Sequence, residues 1–483
     1  MSANSDPGVV CVYGDSEEMG RPSPDNPPVE PQYVHKVALH PPSPPQTPAT
    51  LPPKGRNCRR LAVTAAVSAL LLLLVAGILL GYHLSSVCFG VRCEDDVCLL
   101  HSQWCDGVAD CPGGEDEATC FRVFGSGFLL QIYRSEDRSW KPVCSEGWTT
   151  NLGQTACQRI GYSLDRSITN RYTSARSGQM KINASNGFPQ VKTGSSPDTN
   201  ILKLFINSNN CSSGSGVTLR CVDCGTRVTS ASSRTAKEQP AILGAWPWHA
   251  LLTSSVTCSG TIISPYWIVT AASCVQTDSS PQAWKVFAGV VNTWTTAFHD
   301  GFQVSHILAH EAFQANTGRN NIALMRLTKP LVMTSNIRPV CLTNVGLDFK
   351  ASRRCWTTGF GSTELKHGGS EFLMEAEVTL LDPAACRDLP GSDGASARDG
   401  VCAGTPGAVE KPCEVDLGGP LVTEEDSVWW LIGDRSWAYG CVSGIPAAYG
   451  NVTFYLQWLY EQMQKYPDEE QHKDEGQYVF EFE

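Results

Sequence analysis

The chain lacks any excess of positive charge. Its 37 Lys and Arg stand against 48 Asp and Glu, a formal net charge of −11 at pH 7. An acidic surface repels phosphate, which argues against nucleic acid as a partner. No internal repeat is visible. Long apolar runs are scarce: one segment, Leu61 to Tyr82, is uncharged and apolar, with Leu70-Leu-Leu-Leu-Leu-Val75 at its centre. Cysteine, by contrast, is abundant. There are 21, most of them in clusters after residue 87. That density suits an oxidising compartment, where small domains use disulfides to offset thin cores. A length of 483 residues calls for several domains.

The apolar segment, taken as 61–84, has the length of a single membrane-spanning helix, which needs about 20 residues. A cleaved signal peptide competes with that reading. It is disfavoured because the segment starts 60 residues in and exceeds a signal core in length. Lys54, Arg56, Arg59 and Arg60 immediately precede it. By the positive-inside rule the N-terminus stays in the cytoplasm and everything after residue 84 lies outside, a type II arrangement in the plasma membrane. Residues 1–60 are rich in Pro and Ser, as in Pro41-Pro-Ser-Pro-Pro-Gln-Thr-Pro48, and cannot bury enough apolar surface to fold alone. Two readings stand: an unstructured cytoplasmic tail, or a polyproline II ligand for a cytoplasmic proline-motif-binding partner. The acidic stretch 466–483 reads as a tail.

Residues 88–120 carry six cysteines and the run Trp104-Cys-Asp106-Gly-Val108-Ala-Asp110-Cys-Pro-Gly-Gly-Glu-Asp116-Glu117-Ala-Thr-Cys120. Carboxylates at these spacings repel one another unless a hard cation holds them, and calcium takes oxygen ligands of this kind. The segment resembles a low-density-lipoprotein-receptor class A repeat. The resemblance implies structural calcium bound by Asp106, Asp110, Asp116 and Glu117 with the backbone carbonyls of Trp104 and Val108. It also implies pairings Cys88–Cys98, Cys93–Cys111 and Cys105–Cys120, where sequence alone allows fifteen. Residues 121–224, through Trp140-Lys-Pro-Val-Cys144, Cys157-Gln-Arg-Ile-Gly161-Tyr162 and Val217-Thr-Leu-Arg-Cys221, resemble a scavenger-receptor cysteine-rich domain, with Cys144–Cys211 and Cys157–Cys221 implied. Asn183 and Asn210 head glycosylation sequons, as does Asn451.

From residue 239 to 465, short apolar runs between turn residues fit an all-β chain, clearest in Gly260-Thr-Ile-Ile-Ser-Pro-Tyr-Trp-Ile-Val-Thr270 and Val428-Trp-Trp-Leu-Ile-Gly-Asp434. Gln457-Trp-Leu-Tyr-Glu-Gln-Met-Gln464 reads as a closing helix. Gly244-Ala-Trp-Pro-Trp248, Trp267-Ile-Val-Thr-Ala-Ala272, Pro339-Val-Cys341-Leu and Trp429-Trp-Leu-Ile-Gly-Asp-Arg-Ser-Trp437, with the order of the segments, resemble the type II transmembrane serine proteases over about residues 61–464. The resemblance implies a mainly β, multidomain chain that ends in a trypsin-like double β-barrel. It implies bridges Cys258–Cys274, Cys386–Cys402 and Cys413–Cys441, with Cys224–Cys341 tying stem to barrels. Cys355 is left over, as a buried free thiol or an intermolecular bridge.

Against that family pattern the chemistry is missing. Cys413-Glu-Val-Asp-Leu417-Gly-Gly-Pro420 stands where the nucleophile motif belongs, Thr270-Ala-Ala-Ser273-Cys274 where the base belongs, and Asn321-Ile-Ala-Leu324 where the orienting acid belongs. Peptide hydrolysis needs a hydroxyl, an imidazole and a carboxylate in concert. Leu417, Ser273 and Asn321 supply no such set. Val415 replaces the oxyanion glycine. Lys411 replaces the pocket acid, and either accepts an acidic side chain or folds toward Glu414 or solvent. Ala447 narrows the pocket further. Residues 225–238 form a linker with a degenerate activation site: Arg234 is followed by Thr235-Ala-Lys-Glu238, although cleavage at Arg234 is still open to a basic-specific protease. His249, His299, His306, His310 and His367 read as packing or surface residues. The expectation is a cell-surface protease homologue without peptidase activity, binding an unspecified extracellular protein ligand. The alternatives are an active trypsin-like endopeptidase and a scavenger or endocytic receptor.

Overall fold

The computed structural model describes residues 63–77, 88, 90–162, 175–182, 188–192, 200–208, 210–228, 239–361, 371–383, 399–404, 417–436 and 446–466. The chain divides into two units, Met1–Tyr82 and His83–Glu483. In the first, residues 63–77 are helical and Leu70 to Leu74 are exposed. Among the described residues no helix is long and apolar enough to cross a membrane. The rest of the span expected at 61–84, and the Pro-rich segment before it, lie outside the described residues.

The second unit begins with the six-cysteine segment. Cys88–Cys98, Cys93–Cys111 and Cys105–Cys120 are bonded. They staple two short strands, Val91–Arg92 and Cys98–Leu99, and a one-turn helix, Glu115–Ala118. Its apolar core is Cys93, Leu99 and Cys111 with Trp104 against them. So thin a core needs covalent help.

Next comes a five-stranded sheet built from Phe121–Phe124, Leu129–Arg134, Ser139–Pro142, Arg176–Lys181 and Ser215–Arg220. The helix Thr150–Ile160 packs on it, starting where Thr149 accepts the Leu152 N–H and stopping at Gly161, whose φ of 110° is open chiefly to glycine. Cys144–Cys211 and Cys157–Cys221 cross-link this part.

Residues 239–466 hold two barrels. Six strands close the first: His249–Thr253, Thr257–Ile262, Trp267–Thr270, Ala323–Leu327, Phe302–Ala309 and Lys285–Ala288. The second runs Met374–Leu380, Arg354–Gly359, Pro420–Glu425, Val428–Arg435, Ala447–Asn451 and Gly400–Gly404, and the pairing of its first and last strands closes the ring. Val428–Arg435 is buried throughout, as a central strand rich in aromatic and branched residues should be.

The final helix, Val452–Lys465, buries Val452, Tyr455, Leu456, Leu459, Gln462 and Met463, the stripe of an amphipathic helix. Its outer side meets the stem. A Cβ on Gly161 would stand 2.8 Å from the Tyr460 carbonyl oxygen, and Tyr162 lies 5.8 Å from the Tyr460 ring. Phe128 stacks on Trp430 at 5.0 Å. The junction at the start of the linker is pinned too: Cys224 is bonded to Cys341, and the Arg227 guanidinium lies 4.8 Å from Trp246 and 4.2 Å from Trp429.

Candidate functional site

The cleft between the barrels brings Ser273 and Asn321 into direct contact. Ser273 is the second residue of the short helix Ala272–Gln276, and Asn321 lies just before the strand Ala323–Leu327. The Ser273 N–H donates to Asn321 Oδ1 at 2.7 Å, and Asn321 Nδ2 donates to Ser273 Oγ at 3.0 Å and to the Ser436 carbonyl. Asn321 is buried, so its amide is fully spent in holding two segments together. A carboxylate could not make the two Nδ2 donations.

Leu417 reaches the same place from the second barrel. Its carbonyl accepts the Ser259 N–H at 2.9 Å and lies 3.5 Å from the Cys274 sulfur, while its side chain packs on the core. Cys274 itself is bonded to Cys258. Gly418 follows with φ 77°, and a Cβ there would collide with Thr270 Oγ1 and the Ser259 carbonyl. The turn is therefore drawn tightly against the first barrel. Its apex presents a leucine, which has no lone pair or proton to offer a carbonyl. Val415, Lys411 and Arg234 lie outside the described residues, as do Cys386, Cys413, Cys441 and Asn183. Cys402 is disulfide-bonded. Cys355 is a free, buried thiol whose pKa burial pushes up to about 12.

Directly behind Leu417 is an arrangement that the sequence reading passed over. His249 is 2 % exposed, with Nδ1 2.9 Å from Thr358 Oγ1 and Nε2 3.2 Å from Ser259 Oγ. Burial holds its pKa down at about 3, so the ring is neutral. This serine–histidine pair is sealed in the core, since Ser259 is 0 % exposed, and no substrate reaches it. Its signal in the sequence is weak: a polar residue after Trp248 in a strand whose neighbours Ala250, Leu251 and Leu252 are all apolar. Asp434, two residues before Ser436, is also buried, with both carboxylate oxygens unbonded, and desolvation raises its pKa well above the ordinary range.

In the six-cysteine segment no three of Asp106, Asp110, Asp116 and Glu117 bring their carboxylate oxygens within 4.8 Å of one another; among the described residues the group that does is Cys93, Cys111 and Glu115, whose two cysteines are bonded to each other. Asp106 Oδ1 accepts the Val108 N–H at 2.8 Å, and Asp116 Oδ2 accepts the Asp110 N–H at 2.7 Å. Asp116 and Glu117 are buried; Asp116 Oδ1 has no hydrogen-bond donor, and the Glu117 oxygens have the Gly107 and Asp106 N–H groups nearby but outside good hydrogen-bond geometry. Burial, with Asp116 and Asp106 nearby, raises the Glu117 pKa to about 7. Orphaned, inward-facing carboxylate oxygens are what a hard cation would satisfy. Of the sequons, Asn210 is exposed, whereas Asn451 caps the last helix by accepting the Thr453 N–H at 3.1 Å.

Two linked barrels whose turns meet in one cleft, behind a disulfide-bonded domain of sheet and helix, define the class of trypsin-like proteins with a scavenger-type stem. Sequence comparison agrees: residues 236–459 match the Trypsin family and residues 125–228 the Scavenger receptor cysteine-rich domain. A curated relative, human (Homo sapiens) "Transmembrane protease serine 5", is 30% identical over 460 residues, covering 91% of this chain and 98% of that protein. The chain belongs to the transmembrane serine protease family.

Proposed function

We propose that this chain is a cell-surface member of the family without peptidase activity, acting as a binding or scaffold protein. One observation carries the reading: of the three residues at the catalytic positions, Ser273 and Asn321 form a structural clasp and Leu417 packs on the core, with no imidazole or carboxylate among them to activate the Ser273 hydroxyl. In a well-studied protease, loss of the nucleophile or base alone costs on the order of a million-fold in turnover. On this reading the chain is anchored in the plasma membrane through 61–84, with the scavenger domain and barrels outside. The six-cysteine segment is a class A repeat holding structural calcium through Asp106, Asp110, Asp116 and Glu117, which neutralises the orphaned oxygens. The Pro-rich tail offers a proline-motif ligand inside the cell.

Family membership by itself favours the other reading, an active endopeptidase. The two are separated by assaying His83–Glu483, before and after treatment with a trypsin-like activator, on a broad peptide library and a fluorophosphonate probe. A Leu417→Ser, Ser273→His, Asn321→Asp triple variant runs alongside. The expected result is a silent wild type. Turnover or covalent labelling of the wild type at a defined residue would overturn the proposal.

A further inference from the structure

Between stem and barrels lies a cavity of about 270 Å³. One wall comes from the stem, with Phe121, Trp140 and Ile160; the other comes from the last helix, with Leu456 and Tyr460. These residues make an apolar patch in a lining that also includes the polar Thr119, Thr343, Asn344, Gln457 and Gln464. One cation interrupts it, Arg122, which sits on the first strand of the stem sheet. Its Nε–H donates to Gln131 Oε1 at 2.8 Å, and its guanidinium lies 4.2 Å from the Trp140 ring. Among the described residues no carboxylate meets it.

That is an unusual state for a guanidinium. The chain has 48 Asp and Glu and a net charge of −11, so an arginine has many partners to choose from. Desolvation draws its pKa down to about 10, and it stays charged at neutral pH. Its fork, one edge engaged and the Nη edge open, matches the planar geometry of a carboxylate. The Trp140 face keeps the fork oriented. The volume sits just below the roughly 300 Å³ at which sites for drug-sized ligands begin.

We propose that this cavity binds a small monoanion with an apolar body, an aryl or short-chain alkyl carboxylate, with its charge on Arg122 and its body between Ile160, Leu456 and Tyr460. The site is independent of the catalytic positions. Because its two walls belong to different domains, an occupant bridges stem and barrels.

The test uses 4-phenylbutyrate as the probe, titrated into soluble His83–Glu483 by calorimetry and by saturation-transfer NMR. Wild type is expected to bind one equivalent with a sub-millimolar Kd. Arg122→Gln is expected to weaken binding at least tenfold. The uncharged isostere 4-phenylbutanamide is expected to bind wild type at least tenfold more weakly than the acid, a comparison that needs no variant to fold. Absence of saturable binding up to 10 mM, or equal affinity for acid and amide, would overturn the proposal. So would equal affinity of wild type and a folded Arg122→Gln.

Discussion

His249 makes the stability of the barrels depend on pH in a calculable way. Its ring is neutral in the fold, with a pKa of about 3, whereas in the unfolded chain it has the ordinary value of 6.5. The folded state therefore binds fewer protons between those values. The neutral ring's contribution is fully present above pH 6.5 and is lost as pH falls toward 3. At about 1.36 kcal/mol per pH unit, going from pH 7 to pH 5 should cost about 2 kcal/mol from this residue alone. For a domain of this size each kcal/mol moves Tm by roughly 2–4 °C, so the loss is about 4–8 °C. Other groups titrate in the same window, and a variant isolates the one of interest. His249→Gln keeps a donor and an acceptor for Thr358 and Ser259 but has no proton to gain. The assay is thermal unfolding of His83–Glu483 at pH 7 and pH 5, with excess calcium in every sample. Wild type should lose about 4–8 °C more than His249→Gln on acidification. Equal losses would refute the claim that the buried ring is held neutral by its surroundings.

The clasp at the catalytic positions predicts an inverted result for a reversion. Asn321→Asp alone should destabilise by about 1–3 kcal/mol, because a carboxylate facing the Ser436 carbonyl leaves that acceptor unsatisfied; pairing it with Ser273→His should recover part of the loss in a double-mutant cycle followed by chemical denaturation. Gly418→Ala should cost about 2–6 kcal/mol, from a positive φ and a crowded Cβ together, and would show as lost secretion or a Tm drop. Chelating calcium should lower the Tm of the stem, and Asp116→Asn should abolish that sensitivity, as read by calorimetry with and without EDTA.

Much of this architecture was legible because cysteines and tryptophans mark it. Seven of the pairings implied by family resemblance are brought together in the described residues, from Cys88–Cys98 to Cys258–Cys274. Apolar runs such as Trp267–Thr270 became barrel strands because only a doubly covered strand can bury every side chain. The clasp was not legible. Ser273 and Asn321 are 48 positions apart, and a sequence that shows which groups are missing does not show that the replacements bond one another. His249 was hidden for a similar reason, since its partners Ser259 and Thr358 come from different barrels. Arg122 gave no signal at all; one arginine in a strand acquires meaning only when the last helix arrives opposite it.

The seat that the stem offers to that helix has a consequence for biosynthesis. Gly161 and Tyr162 pack on Tyr460, nearly 300 residues later in the chain. At roughly 5–20 residues per second of synthesis, the stem waits about 15–60 s with this apolar face uncovered before the segment that closes it is made. Its disulfides can form during that interval, but the face stays open. A chaperone that recognises apolar surface would have a binding face there until the final helix is made.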